Sequence, residues 1–355
     1  MAKVAPSARL TPPKVGLCRR TQITPLVSVV IVNYCRWTET AALVEQLLAR
    51  QAIYHDRVEI IVIDNASRQP DGIAPILHDP RVTLRRLREN RGFSAGVNAG
   101  AALSQAPWIL VLNPDVIVCP GFVDRLYAAA VDVTEDVSQG NPIGVVGFGL
   151  RNRDGSRQLS AGQFPSLGRM VLGLLKPRRS RKYVLPYSPE RHSASWVTGS
   201  CMLLRKECLR SIGGFDEDYF LYYEDVDVCR RASLTGWAVC FDPALEAVHL
   251  DPLQNRQLTA TMRAVTRHAS LVYFSKHLPG WPTWGLAQLI RAEAGLKGLL
   301  AWLRGRRQES FIAGQVWAYC DDFIKGRVAS ARRRLESVLR RAGLQRAEPG
   351  RECGE

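Results

Sequence analysis

Leu26–Tyr34 (LVSVVIVNY) is a nearly unbroken apolar, β-branched run, the pattern of a strand buried on both faces. Val58–Ile63 (VEIIVI) and Trp108–Leu112 (WILVL) repeat it. Val82–Leu87 is more polar and predicts a half-exposed strand. Between the first two runs, Ala42, Leu43, Leu47 and Leu48 recur at helical spacing. They predict a helix over Thr38–Arg50 with Thr38 as N-cap. Asn90–Gly100 (NRGFSAGVNAG) is a glycine-rich turn leading into a second helix. Strands alternating with helices in this way predict an α/β protein with a mostly parallel central sheet flanked by helices.

Further on, Ile143–Leu150 followed by Asn152–Gly155 predicts a hairpin that interrupts the alternation. Residues 165–195 are rich in Pro and Arg, with Lys176, Arg178, Arg179, Arg181 and Lys182 clustered in an expected mobile loop. Trp196–Leu204 predicts a strand, and Ala238–Asp242 a last short one leading towards His249. Beyond Pro282, Trp284, Leu289, Leu296, Leu299, Trp302 and Leu303 interleave with Arg291, Lys297, Arg304, Arg306 and Arg307. That pattern predicts a C-terminal amphipathic helical extension of two or three basic helices. The expected organisation is a disordered basic arm (1–25), one α/β unit (26–280), the helical extension (281–345) and a tail (346–355). The arm lacks the long apolar run of a signal peptide. No stretch of about 18 or more uncharged apolar residues occurs, so no membrane-spanning helix is expected.

Charge narrows the class of partner. A net +15 over 355 residues favours anionic partners: a membrane surface, phosphate-bearing substrates or nucleic acid. The nine cysteines are scattered with no Cys-x-x-Cys pair, which implies reduced thiols in a cytoplasmic setting and argues against a zinc site.

The polar motifs cluster where chemistry is expected. In parallel α/β sheets ligands bind beyond the carboxyl ends of the strands. Asn33, Asp64-Asn65, Asn90 and Asn113-Pro114-Asp115 each follow a strand. Asp64-Asn65-Ala66-Ser67 suits either a nucleobase contact or a capping turn. Asn90-Arg91-Gly92-Phe93-Ser94-Ala95-Gly96 fits a phosphate cradle or close helix–sheet packing with Ser94 as N-cap. Asn113-Pro114-Asp115 is a turn dipeptide pattern, yet a carboxylate at a strand end can also hold a divalent cation. His249 is either a metal ligand or an ordinary histidine.

The most informative segment is Gly213–Trp237, where Glu224, Asp225 and Asp227 open a predicted helix behind Phe220, Tyr222 and Tyr223. Acids suit a first helical turn, but three carboxylates here exceed what a cap needs. A carboxylate held beside aromatic walls suits a general base.

In order and spacing, Val27–Tyr34, Ile61–Ser67, Glu89–Gly100, Asn113–Asp115 and Gly213–Trp237 resemble the inverting glycosyltransferases of family 2, with a GT-A fold, and most closely the bacterial rhamnosyltransferase-like branch. The resemblance implies that Asn33, Asp64 and Asn65 border the nucleoside pocket. It places Asn90, Gly92, Phe93, Asn98 and Asn113 along the donor site. It makes Asp115 the metal carboxylate, joined by His249, for Mg²⁺ or Mn²⁺. Asp225 becomes the catalytic base beside Glu224, with Trp196 and Gly199 on the acceptor face. The implied partners are a nucleotide-diphosphate sugar, first of all deoxythymidine-diphosphate rhamnose, and a saccharide or polyprenyl-diphosphate-linked acceptor. The expected setting is peripheral, on the anionic inner face of a bacterial cell membrane, in surface polysaccharide synthesis, with nucleic acid set aside.

The chain lacks the Gln-x-x-Arg-Trp pattern of processive polymer synthases, so transfer of one sugar per encounter is expected. A sugar nucleotidyltransferase would need a glycine-rich loop after the first strand, where Asn33-Tyr34-Cys35-Arg36-Trp37 stands instead. The remaining alternative is a basic membrane- or nucleic-acid-binding scaffold derived from an inactive transferase. The C-terminal helices either lie on a membrane or pack their apolar face on the catalytic unit.

Overall fold

The computed structural model describes residues 24–49, 57–68, 75–136, 140–173, 183–184, 188, 190–252 and 258–345. Residues 1–23 of the expected arm, the basic cluster at residues 176–182 and the 346–355 tail lie outside them.

The first half alternates as its pattern predicts. Strand β1 (Val27–Asn33) is followed by α1 (Trp37–Ala49), β2 (Val58–Asp64), β3 (Val82–Arg86), α2 (Phe93–Leu103), β4 (Trp108–Leu112), β5 (Val116–Val118) and α3 (Phe122–Glu135). Next come β6 (Ile143–Arg151), β7 (Arg157–Gln158), β8 (Ala161–Gly162), α4 (Leu167–Gly173), β9 (Tyr183–Val184), β10 (His192–Ser193), β11 (Trp196–Val197) and β12 (Cys201–Arg205). The chain continues through α5 (Lys206–Ser211), α6 (Glu224–Leu234) and β13 (Ala238–His249) to α7 (Ala260–His277), α8 (Trp281–Leu303), α9 (Arg307–Ile324) and α10 (Val328–Arg341).

The central sheet runs β10-β13-β6-β12-β4-β1-β2-β3, with β5 on β13 and β7 on β6. Strands β4, β1, β2 and β3 are parallel, in registers that place Asn33 beside Asp64 and Asp64 beside Arg86. Alternation within β1 feeds both faces of the sheet. Val30 and Val32 join the core under α2 and α6, while Val29 and Ile31 join the core under α1 and α3. Gly96 and Gly100 of α2 rest on Val32 and Val30, leaving no room for a Cβ.

Three details depart from the sequence pattern, and each shapes the site. Helix α1 starts at Trp37, so Thr38 lies inside its first turn. Trp196–Leu204 is two strands: β11 pairs with β8 in a small sheet, and after a turn β12 enters the central sheet antiparallel to β4. Strand β13 does not stop at Asp242. It shifts register between Asp242 and Glu246 and runs on to His249, opposite Val116 of β5. The Pro243 break hid this continuation, since proline reads as a strand terminator.

Helices α7 and α10 pack on the α/β unit. Val265, Leu335 and Leu339 cluster against Phe220, Leu221 and Tyr222. Lys276 and Arg332 pair with Asp218 at 2.6 and 2.9 Å. Among the described residues, Cys119, Cys201, Cys208, Cys229, Cys240 and Cys320 are free thiols.

Candidate active site

The carboxyl ends of β1, β2 and β3 hold a buried polar network. Asn33 donates to Asp64 at 3.0 Å and to Ser67 at 3.2 Å, while its own carbonyl accepts from Arg36 N–H and the Thr40 hydroxyl. The Arg86 guanidinium clamps Asp64 Oδ2 and the Ser67 carbonyl, each at 2.8 Å. Asn65 donates to Asn90 Oδ1 at 2.8 Å and to the Gly92 carbonyl at 2.9 Å. Asn33 and Asp64 thus belong to one hydrogen-bonded set, and Asn65, Asn90 and Gly92 to a second beside it.

Gly92 explains the glycine-rich turn. It sits at φ 93° as the residue before α2, and a Cβ there would strike the Phe220 carbonyl. Phe93 N–H then donates to that same carbonyl at 2.8 Å. Glycine is needed for close backbone approach and positive φ, and Ser94 is buried inside the helix rather than capping it. The contact fixes the turn after β3 to the acidic segment.

That segment forms one wall of a cavity of about 190 Å³ at the sheet's carboxyl edge. Tyr222 and Tyr223 both adopt left-handed conformations, at φ 73° and 69°. Such non-glycine geometry costs of order 1–3 kcal/mol per residue. It is held by burial of Tyr223 against Tyr273 and by the Phe220–Phe93 contact. Helix α6 starts immediately after, so Asp225 lies in its first turn and lines the cavity. The Gly199 and Val226 N–H groups donate to its two oxygens at 3.1 and 2.8 Å. Its orientation is thus fixed by backbone.

Asp227 has a different task. It is fully buried and accepts from Tyr219 at 3.3 Å, Arg231 Nε at 2.7 Å and His277 Nε2 at 2.7 Å. Burial alone would raise its pKa; the His277 hydrogen bond and the Arg231 charge outweigh that and hold it below the usual carboxylate range. It fastens α6 to α7.

The same cavity is lined by Asp115 and His249, both buried and 3.3 Å apart. The pairing of β5 with β13 brings them together. Gln158 Nε2 lies 3.0 Å from His249 Nδ1, fixing the ring. With the amide NH₂ donating, the ring proton sits on Nε2 towards Asp115. Rotating the amide offers oxygen to an Nδ1–H and frees the Nε2 lone pair. Among the described residues, no three His, Cys, Asp or Glu side chains group as a ready metal cage. Two ligands on one wall still fit a divalent cation that takes its other ligands from diphosphate and water, the usual Mg²⁺ arrangement.

The cavity therefore unites Phe93, Asn113, Asp115, Trp196, Gly199, Glu224, Asp225 and His249. Asn33, Asp64, Asn65, Asn90 and Gly92 form the adjoining network rather than its lining. Asn98 stands apart: it brackets the Phe215 backbone with two 2.8 Å hydrogen bonds and reaches Glu217. Sequence reasoning passed over Gln158, Ser200 and Asp251, which also line the cavity. No change of period marked Ser200, which meets Asn113 at 3.3 Å.

Comparison with known proteins identifies the arrangement. Residues 28–213 match the profile of Glycosyl transferase family 2. The chain belongs to that family. It is 30% identical over 299 residues to the N-acetylglucosaminyl-diphospho-decaprenol L-rhamnosyltransferase of Mycobacterium tuberculosis, covering 78% of this chain and 93% of that protein. The O-antigen biosynthesis protein RfbC of Myxococcus xanthus is 26% identical over 245 residues, which span 66% of this chain and 18% of that protein. The crystal structure of GalNAc-T7 with UDP, GalNAc and Mn²⁺ superposes with a TM-score of 0.51 at 16% identity, over 71% of this chain and 48% of that one. The fold of this family 2 glycosyltransferase is thus of the GT-A type.

Proposed function

We propose that the enzyme transfers one sugar, first of all L-rhamnose from deoxythymidine diphosphate rhamnose, to a hydroxyl of a polyprenyl-diphosphate-linked saccharide. The transfer inverts the anomeric centre and serves bacterial surface polysaccharide assembly at the inner membrane face. The observation that carries this reading is that Asp225 and the Asp115–His249 pair line one and the same cavity. The likeness to the mycobacterial rhamnosyltransferase supports the choice of sugar and acceptor.

Asp225 removes the proton from the acceptor hydroxyl, whose oxygen then forms the new bond to the anomeric carbon as the bond to the nucleotide diphosphate breaks. One displacement inverts configuration. The two N–H groups that hold Asp225 aim it without a moving part. Asp115 and His249 would hold Mg²⁺ or Mn²⁺, which when bound offsets the negative charge gathering on the leaving diphosphate. Phe93, Trp196 and Tyr222 give the cavity aromatic lining. Asn33, Asp64 and Asn65 stand behind it as the nucleoside side, kept rigid by Arg86.

The test is a panel of nucleotide sugars with Mg²⁺ or Mn²⁺ and membrane lipid extract as acceptor, scored by nucleotide-diphosphate release. Release from the deoxythymidine-diphosphate rhamnose donor, abolished in Asp115→Asn, is the expected result. Release from another donor alone would replace the sugar. Silence across the panel, with no metal-dependent nucleotide binding, would favour the scaffold alternative.

A further inference from the structure

The C-terminal helices carry a second cavity, of about 310 Å³, between α7, α8 and α9. Its floor is small and apolar, with Ala264, Ala294 and Ala313 among the lining residues. Its charged lining is Arg263, Arg267, Lys297, Arg304 and Arg306 against Glu293 and Glu309. Glu293 is already shared between Arg267 at 2.8 Å and Lys297 at 2.5 Å, and Glu309 lies 3.4 Å from Arg306. The cations outnumber the acids, so the cavity presents net positive charge to an anion.

What lies beside it identifies the anion's source. Helix α8 is about 35 Å long at 1.5 Å per residue, and its inward face is built from Leu286, Ala287, Ile290, Ala294 and Ala301. Leu286 and Ile290 apart, most of the large apolar side chains point away from the protein. Leu296, Trp302 and Leu303 are 62%, 69% and 65% exposed. Positions 289, 292, 296, 299 and 303 step by three or four residues, so they share one side of the helix. The helix's three charges are turned away from that side: Arg291 lies over Trp317, and Glu293 and Lys297 pair with each other. At the other end, α4 packs Leu167 on Gly285 and adds exposed Leu172. An apolar surface of this extent is an interaction site.

We propose that the cavity binds the phosphate headgroup of an anionic lipid while the outer face of α8 lies in the acyl region of the same leaflet. This rests on the reading that the enzyme works at a membrane, and adds where and how it is held. A basic pocket opening next to an apolar stripe with tryptophans at both ends matches an amphipathic element in a membrane interface. A second copy of the chain fits poorly, because joining two α8 faces would bring their basic rims together. Since α10 packs on the aromatic run before Asp225, point substitutions test the proposal better than truncation.

The full-length protein is sedimented with phosphatidylcholine vesicles, with and without phosphatidylglycerol. Wild type should bind both and prefer the anionic vesicles. Arg304→Ala/Arg306→Ala should lose roughly tenfold to thirtyfold of that preference while keeping its binding to phosphatidylcholine. Leu296→Ser/Leu303→Ser should weaken binding to both compositions. An unchanged anionic preference in the arginine variant would overturn the headgroup site and leave membrane attachment standing. Absence of vesicle binding by wild type would overturn both, as would a dimer in solution that Leu303→Ser dissolves. Competition by inorganic phosphate that fully replaces the lipid preference would assign the cavity to free phosphate instead.

Discussion

At the scale of residues, the site depends on side chains whose roles are set by what holds them. Asp225 and Asp227 are two positions apart on α6, yet one lines the cavity on backbone N–H groups and the other is fully engaged by Tyr219, Arg231 and His277. Gln158 is the least conspicuous of these residues. Its only evident task is to orient His249, and partners of this kind set ligand tautomer and orientation. Gln158→Leu should therefore weaken metal-dependent nucleotide binding by roughly tenfold to a hundredfold, measured by calorimetry with Mn²⁺ and a nucleotide diphosphate. Unaltered binding would show that His249 needs no such support. Nothing in the sequence marked Gln158, because a lone glutamine in a two-residue strand carries no period and no motif.

At the scale of elements, buried strands were legible because they are continuous runs of β-branched residues, and their polar ends because each run stops on an Asn or Asp. The break at Thr198–Ser200 was not legible: apolar residues flank it on both sides, so no change of period announces it. Nor could the pattern show which side of α8 faces inward, since leucines lie on both sides. Helix α7 carries a further consequence. His268 is buried among Tyr319 and Phe323, and burial, reinforced by Arg332 and opposed by Asp218, lowers its pKa to about 3. The unfolded chain, with a value of about 6.5, takes up the proton first. Stability present above about pH 6.5 should therefore fall towards pH 3, by at most about 1.4 kcal/mol per pH unit. His268→Phe should flatten this slope in urea unfolding at pH 7 and pH 5; an identical slope would place the acid sensitivity elsewhere.

At the scale of the whole molecule, the β5–β13 pair and the first turn of α6 meet at one cavity beside the carboxyl ends of the parallel strands, and the proposed metal, base and nucleotide sides fall on these three parts. No described helix is long and apolar enough to cross a membrane, and α8 instead turns Leu289, Leu296, Leu299, Trp302 and Leu303 outward. The proposed division of labour within one cavity is read out by measuring binding and turnover in the same two variants. Asp225→Asn should bind nucleotide diphosphate with Mn²⁺ as wild type does, yet lose roughly a hundredfold to ten-thousandfold in kcat. Asp115→Asn should lose the metal dependence of nucleotide binding itself. Turnover by Asp225→Asn within a few-fold of wild type would contradict the account.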